Sequence, residues 1–232
     1  MRRSDPESLT LEDLLPARVR HAEREDPERV IRVLEPLVQE RRRERMKEVF
    51  AARLQSVCVV FDDPFDPHNG AAVLRSSEAF GVQRVHVIER GQPFLVSSGV
   101  SRGAEKWLDV YKHTKTATAL TALKEQGYLL AGAHPEGTLL PSDLRGIERV
   151  AIVLGNEHRG IHPELESQCD LRVRVPMRGF VESLNVSVTA AVLLSAATAG
   201  RTGDLSDIDQ RRLYARGLYF SVPRAESHFK ND

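Results

Sequence analysis

The chain has 232 residues, 41% apolar and 28% charged, an ordinary globular composition that excludes wholesale disorder, a collagen-like repeat and a purely helical coiled coil. Lysine plus arginine and aspartate plus glutamate both number 33, so any polyanion-binding surface must be local rather than global. The 2 cysteines, Cys58 and Cys169, lie in apolar runs, which indicates neither a disulfide framework nor a zinc site and fits a reducing cytoplasm.

The opening stretch MRRSDPESLTLEDLL lacks the apolar core of a signal peptide, and the most apolar stretch, LNVSVTAAVLLSAATAG, is polar-interrupted and too short for a bilayer. A soluble protein without a membrane partner is expected. Thr10 followed three residues later by Asp13 has the spacing of a helix start, although the first two dozen residues are equally compatible with a flexible segment. ERVIRVLEPLVQERRRERMKEVFAARL then places apolar residues at helical spacing, broken near Pro36. From Ser56 the character changes. SVCVVF, RVHVIE, WLDVYKH, YLLAGAH, RVAIVLG and LRVRVPM have strand length and composition, and GAAVLRSSEAF, KTATALTALKEQ and PELESQ lie between them with helical character. This alternation predicts an α/β fold with a mainly parallel sheet covered by helices on both faces. SLNVSVTAAVLLSAATAG reads as a small-residue helix ending at Gly200, and SDIDQRRLYARGLYFSVPR as a basic helix with Tyr214, Tyr219 and Phe220 among Arg211, Arg212 and Arg216. His68, His86, His113 and His134 read as loop or strand-end residues.

The phosphate loops common in α/β proteins are absent, as are the hydrolase G-x-S-x-G and the metalloprotease H-E-x-x-H. Three other segments stand out. In DPHNGAAVLRSSEAFG, Asn69 can cap a helix with an apolar stripe of Val73, Leu74 and Phe80 and a terminator at Gly81. Arg75 points away from that stripe, and from this segment alone the favoured reading is a solvated arginine paired with Glu78. In VLGNEHRG, Gly155 permits close backbone approach and Glu157 can order the loop by accepting hydrogen bonds, although an ordinary strand-to-helix turn is equally compatible. In VPMRGFVESLNVSV, a strand ends at Pro176 and a glycine-containing loop leads to Ser183 and Asn185, which also suit plain helix capping.

Taken in order, N-x-x-x-x-x-R, L-G-N-E-x-x-G and P-M-x-G-x-x-x-S-L-N-V-S-V resemble the three motifs of the SpoU branch of SPOUT RNA 2′-O-methyltransferases, over about Val49 to Gly200. GAEKWLDV and the tail RRLYARGLYF narrow the resemblance to the TrmH group, which methylates a guanosine ribose in the tRNA D-loop. The arm before about Glu40 has no matching counterpart.

The resemblance implies a sheet with a C-terminal deep trefoil knot, an exception to unknotted chains. Charge and helical patterning mark off a helical N-terminal arm (1–54), to which the resemblance adds a methyltransferase domain (55–200) and a C-terminal RNA-binding extension (201–232). It implies S-adenosyl-L-methionine (SAM) as cofactor, S-adenosyl-L-homocysteine (SAH) as product, no metal, and a homodimer acting on tRNA, at guanosine 18. Ribosomal RNA and a noncatalytic RNA-binding role are the alternatives. The cofactor residues carried over are Ala133, Leu154, Gly155, Asn156, Val175, Met177 and Leu184. Asn69 and Arg75 would face the ribose, with Glu157, Ser183 and Asn185 in support. Arg41, Arg42, Arg43, Arg102, Lys106, Arg211, Arg212 and Arg216 are candidates for RNA phosphates, although the run RRRER is equally compatible with a solvated helix face.

Overall fold

A computed structural model of the chain describes Val19, residues 22–91, 93–95 and 98–229; the helix start expected at Thr10 and Asp13 lies outside these residues. Helix α1 (Pro27–Leu34) opens where the Asp26 side chain accepts the Arg29 N–H and Pro27 occupies the first helical position. The expected break falls at a turn of 3-10 helix, Glu35–Leu37, before α2 (Glu40–Ala51).

Each of the six strand-like runs contributes a strand: β1 (Leu54–Asp62), β2 (Val82–Ile88), β3 (Asp109–His113), β4 (Leu129–Ala133), β5 (Val150–Leu154) and β6 (Leu171–Val173). They form one sheet in the order β3-β2-β1-β5-β4-β6, with every pairing parallel. β6 keeps only three residues of LRVRVPM. It pairs with β4, and beyond it Pro176 has no N–H to offer a ladder. Helices α3 (Pro67–Ala79), α4 (Thr116–Lys124), α5 (Val186–Thr198) and α6 (Asp207–Ser221) are the longer helices that follow, with single helical turns at Ser98–Ser101 and Pro163–Glu166.

Both faces of the sheet are buried, which is why its strands read as continuous apolar runs. Along β1 the side chains alternate: Val57, Val59 and Phe61 join the core under α3 and α5, while Cys58 and Val60 join the core under α4. Gly81 ends the α3 segment at a φ of 76°, the left-handed conformation that suits glycine. His86, expected at a loop or strand end, instead lies inside β2. Its Nδ1 is 2.9 Å from His113 Nε2, and both rings are buried.

The N-terminal helices and α6 share a third core, built from Val30, Leu34, Met46, Phe50, Leu213, Tyr214, Leu218 and Tyr219. The aromatic residues read as interleaved with a basic surface are therefore packing residues, and Phe220 lies edge-on to Trp107. Arg216 is 1% exposed and donates to Glu23, to Asp109 Oδ1 (2.6 Å) and to Leu108 O (3.4 Å). Arg212 donates to Asp109 Oδ2 (2.8 Å) and lies 3.3 Å from Glu23. These ion pairs correct the expectation that Arg216 faces RNA, since its guanidinium group is buried beside carboxylates, and they pair the partly exposed Arg212 with the same two carboxylates.

Arg201, just past α5, donates to Ala197 O (2.7 Å), Ser56 Oγ (3.2 Å), Glu148 O (3.0 Å), Leu144 O (3.3 Å) and Ile147 O. One side chain thus ties the end of α5 to the segment between β4 and β5. Among the described residues no helix is long and apolar enough to cross a membrane.

Candidate active site

In an open parallel sheet, ligands bind beyond the carboxyl ends of the strands where the strand order reverses. Here the reversal lies between β1 and β5, and the loops after β4, β5 and β6 surround a cavity of about 490 Å³ on that edge. Ala133, Leu154, Gly155, Asn156, Val175, Met177 and Leu184 all line it, joined by Asn69, Glu157, Ser183 and Asn185. The size falls in the range of small-ligand clefts.

The β5 loop is folded back tightly. Asn156 and Gly160 exchange backbone hydrogen bonds (2.9 Å each way), and the Asn156 side chain accepts from His158 N (2.9 Å) while donating to Asp63 O (2.6 Å). A Cβ on Gly155 would sit 2.2 Å from the carbonyl carbon of Gly160 and the nitrogen of Ile161, so no side chain fits there. The backbone itself therefore forms this part of the wall.

A relay of hydrogen bonds joins the three sequence segments. Glu157 accepts from Phe65 N (3.0 Å), Asp66 N (3.2 Å) and Asn69 Nδ2 (3.0 Å). Asn69 Oδ1 accepts from Asn185 Nδ2 (3.0 Å), and Asn185 Oδ1 accepts from Ser187 N (2.8 Å), capping α5. Glu157 therefore orders the β1 loop rather than its own. Asn69 is not the cap of α3: Asp66 is, accepting from His68 N (2.8 Å), with Pro67 next. Starting the helix three residues earlier frees the Asn69 amide for the relay.

Arg75 lies six residues beyond Asn69, about 9 Å along α3. It is exposed, and among the described residues it has no hydrogen-bond or ion-pair partner. The expected pairing with Glu78 is absent because Glu78 binds the buried Arg53 at 2.7 Å. Arg75 does not line the cavity of its own chain. Ser183 is exposed at the cavity rim, on the loop before α5.

The outlying cations divide. Arg43 pairs with Glu40, Arg42 donates to Ser221 Oγ (2.8 Å), and Arg211 forms a bidentate contact with Glu28 (2.5 Å). Arg41 and Arg102 are exposed without partners among the described residues, and Lys106 is half-buried. The sequence assigns no site role to His134, Pro135, Gly160, Ile161, Val173, Glu182, Val186 and Thr189, which also line the cavity. Three of them, His134, Glu182 and Val186, adjoin a residue named from the sequence, and the others lie within a few positions of one, so the segments carry the signal and the individual side chains do not.

The SpoU rRNA Methylase family profile matches residues 56–195. The tRNA (guanosine(18)-2′-O)-methyltransferase of Thermus thermophilus is 33% identical over 168 residues, 70% of this chain and 84% of that protein. The crystal structure of the Aquifex aeolicus TrmH/SpoU tRNA modifying enzyme superposes with a TM-score of 0.72 at 25% identity, covering 80% of this chain and 98% of that one. The Streptomyces viridochromogenes methyltransferase AviRb, solved with AdoMet, shares the fold at a TM-score of 0.57 and 23% identity, over 64% of this chain and 60% of its own.

Proposed function

Because the chain belongs to the SpoU rRNA Methylase family, we propose that it is a SAM-dependent methyltransferase of the tRNA D-loop, acting on the ribose 2′-hydroxyl of guanosine 18. The observation that carries the reading is the joining of three separate loops into one cavity by the Glu157–Asn69–Asn185 relay, with an uncommitted arginine on the same helix as Asn69.

The cavity suits SAM. Leu154, Ile161, Val173, Val175, Met177 and Leu184 provide apolar walls for an adenine, and the Gly155 backbone leaves close access. Bound SAM supplies a methyl group on a sulfonium centre. The protein supplies position: Glu157 and Asn185 fix Asn69 from either side, so that the start of α3 is held against the cavity mouth. Arg75 faces outward to grip the substrate phosphate and stabilise charge developing on the 2′-oxygen. Guanidinium groups are rarely deprotonated in proteins, so the hydroxyl proton leaves through phosphate or water instead.

The active unit in this reading is a homodimer. Its support is that Arg75 lies outside its own cavity while Phe180, Val181 and Val188, at 108%, 63% and 47% exposure, present apolar surface on the loop beside the cavity and on α5. Arg41, Arg42, Arg102 and Lys106 are the RNA contacts retained, with Arg43 and Arg211 reachable if phosphate displaces their surface carboxylate partners. The expected knot is supported by the path of the chain, which runs from edge strand β6 back to the centre to pack α5 beside residues 141–146. In this reading, with tRNA as substrate, the reaction is a cytoplasmic one.

The test is transfer of labelled methyl from SAM to unmodified tRNA and to ribosomal RNA, followed by mapping of the nucleotide. Label at guanosine 18 is expected. Label confined to ribosomal RNA overturns the substrate assignment, and no label on any RNA overturns the enzymatic reading.

A further inference from the structure

Among the described residues two carboxylates stand on the cavity wall, Glu157 and Glu182, and neither lysine nor arginine lines it. The two are not equivalent. Glu157 is committed on both oxygens, to Phe65 N, Asp66 N and Asn69 Nδ2. Glu182, on the loop between β6 and α5, is exposed and has no hydrogen-bond or ion-pair partner among the described residues. The remaining titratable wall residue, His134, accepts from Glu136 N at Nδ1 (3.1 Å) and turns Nε2 toward Glu166 (3.8 Å). Partial positive charge comes from the first turn of α5, where the Ser187 N–H is already taken by Asn185. The wall is therefore acidic, and its acidity includes one uncommitted carboxylate.

That asymmetry matters because the two ligands this cavity must handle differ by one charge. SAM carries a sulfonium, an ammonium and a carboxylate, a net charge of +1; SAH has a neutral thioether and a net charge of zero. Transfer breaks the methyl carbon–sulfur bond, leaves the bonding pair on sulfur, forms a carbon–oxygen bond at the ribose and releases the hydroxyl proton. We propose that Glu182 is the charge-discriminating residue of the cavity, holding the cationic methyl donor in preference to the neutral product. The inference rests on the methyltransferase reading and deepens it: attraction present before transfer is lost with the sulfonium charge, so the spent cofactor is released more readily than the fresh one.

Calorimetry of SAM and SAH with the wild-type protein, Glu182→Gln and Glu182→Lys tests this without any turnover. In Glu182→Gln the SAM affinity should fall about tenfold and the SAH affinity by less than about twofold, an effect of the size expected for one charge pair near a protein surface. Glu182→Lys should lower the preference for SAM further still. Wild-type SAM binding should weaken with added salt, while SAH binding stays nearly flat. Thermal melts should be unchanged, because Glu182 is exposed and partnerless. If the wild-type protein binds both ligands and Glu182→Gln alters them equally or not at all, Glu182 does not discriminate and the proposal falls while the methyltransferase reading stands. If the folded wild-type protein binds neither, the methyltransferase reading falls and takes this inference with it.

Discussion

Arg216 was a candidate RNA contact in the sequence and is a buried ion-pair residue in the fold, and Arg216→Met separates the two roles. Methionine keeps much of the volume but removes the charge. Asp109, fully buried, and Glu23, 9% exposed on its side chain, would then share Arg212 alone, leaving one uncompensated negative charge inside the molecule. Breaking a buried pair by removing one partner costs about 3–5 kcal/mol. For a chain of this size each kcal/mol lowers the melting temperature by about 2–4 °C, so a drop of roughly 6–20 °C is expected. Total stability is only about 5–15 kcal/mol, so the variant remains measurable but fragile. The assay pairs urea and thermal unfolding with tRNA binding well below the transition, where affinity should stay within about twofold of wild type, the loss of a phosphate contact being absent. Wild-type melting combined with weakened RNA binding would refute the argument and return Arg216 to the RNA surface.

Four further outcomes are expected. Arg75→Ala should lower single-turnover methylation about 100-fold or more with SAM affinity and melting temperature unchanged, as measured at saturating RNA; near-normal turnover would make Arg75 a solvated surface residue. Gly155→Ala should abolish measurable SAM binding in calorimetry, because the new methyl meets backbone rather than a movable side chain. Burial alone would raise the Asp109 carboxyl, but the Arg216 and Arg212 guanidinium groups outweigh it and hold the group down to about 2. With a folded-state value below the unfolded one of about 3.9, Asp109 contributes about 2–3 kcal/mol that is present above roughly pH 5 and lost as the pH falls toward 2; urea melts across that range should show the loss, and Asp109→Asn should remove this part of the slope. Arg41→Ala combined with Arg102→Ala should flatten the salt dependence of tRNA affinity by about 0.7–0.9 per lost contact, and an unchanged slope would exclude both residues from the interface.

How much of this is legible in the amino-acid sequence depends on the range of the interactions involved. The six strands were visible because a sheet buried on both faces demands unbroken apolar runs such as SVCVVF and RVAIVLG, a local property. Asn69 was read as a helix cap because asparagine is a good one, whereas Asp66 followed by Pro67 was the better signal and explains where α3 begins. The ion pairs of Arg212 and Arg216 are hidden from the sequence for a different reason. Asp109 lies more than 100 positions away in sequence, and nothing in RRLYARGLYF shows that its arginines meet a carboxylate. The cavity loops were named through motif resemblance, but the isolation of Glu182 beside the fully engaged Glu157 is a matter of which partners each side chain meets.

The packing of α1 and α2 on α6 has a consequence during synthesis. Arg42 and Ser221, hydrogen-bonded across this layer, are 179 positions apart. At ribosomal rates of about 5–20 residues per second, α2 waits roughly 10–35 s for its partner, with Leu34, Met46 and Phe50 lacking their final cover. The sheet can assemble in that interval, but the helical layer cannot close. The nascent chain therefore carries the apolar face of its N-terminal helices uncovered for most of its elongation.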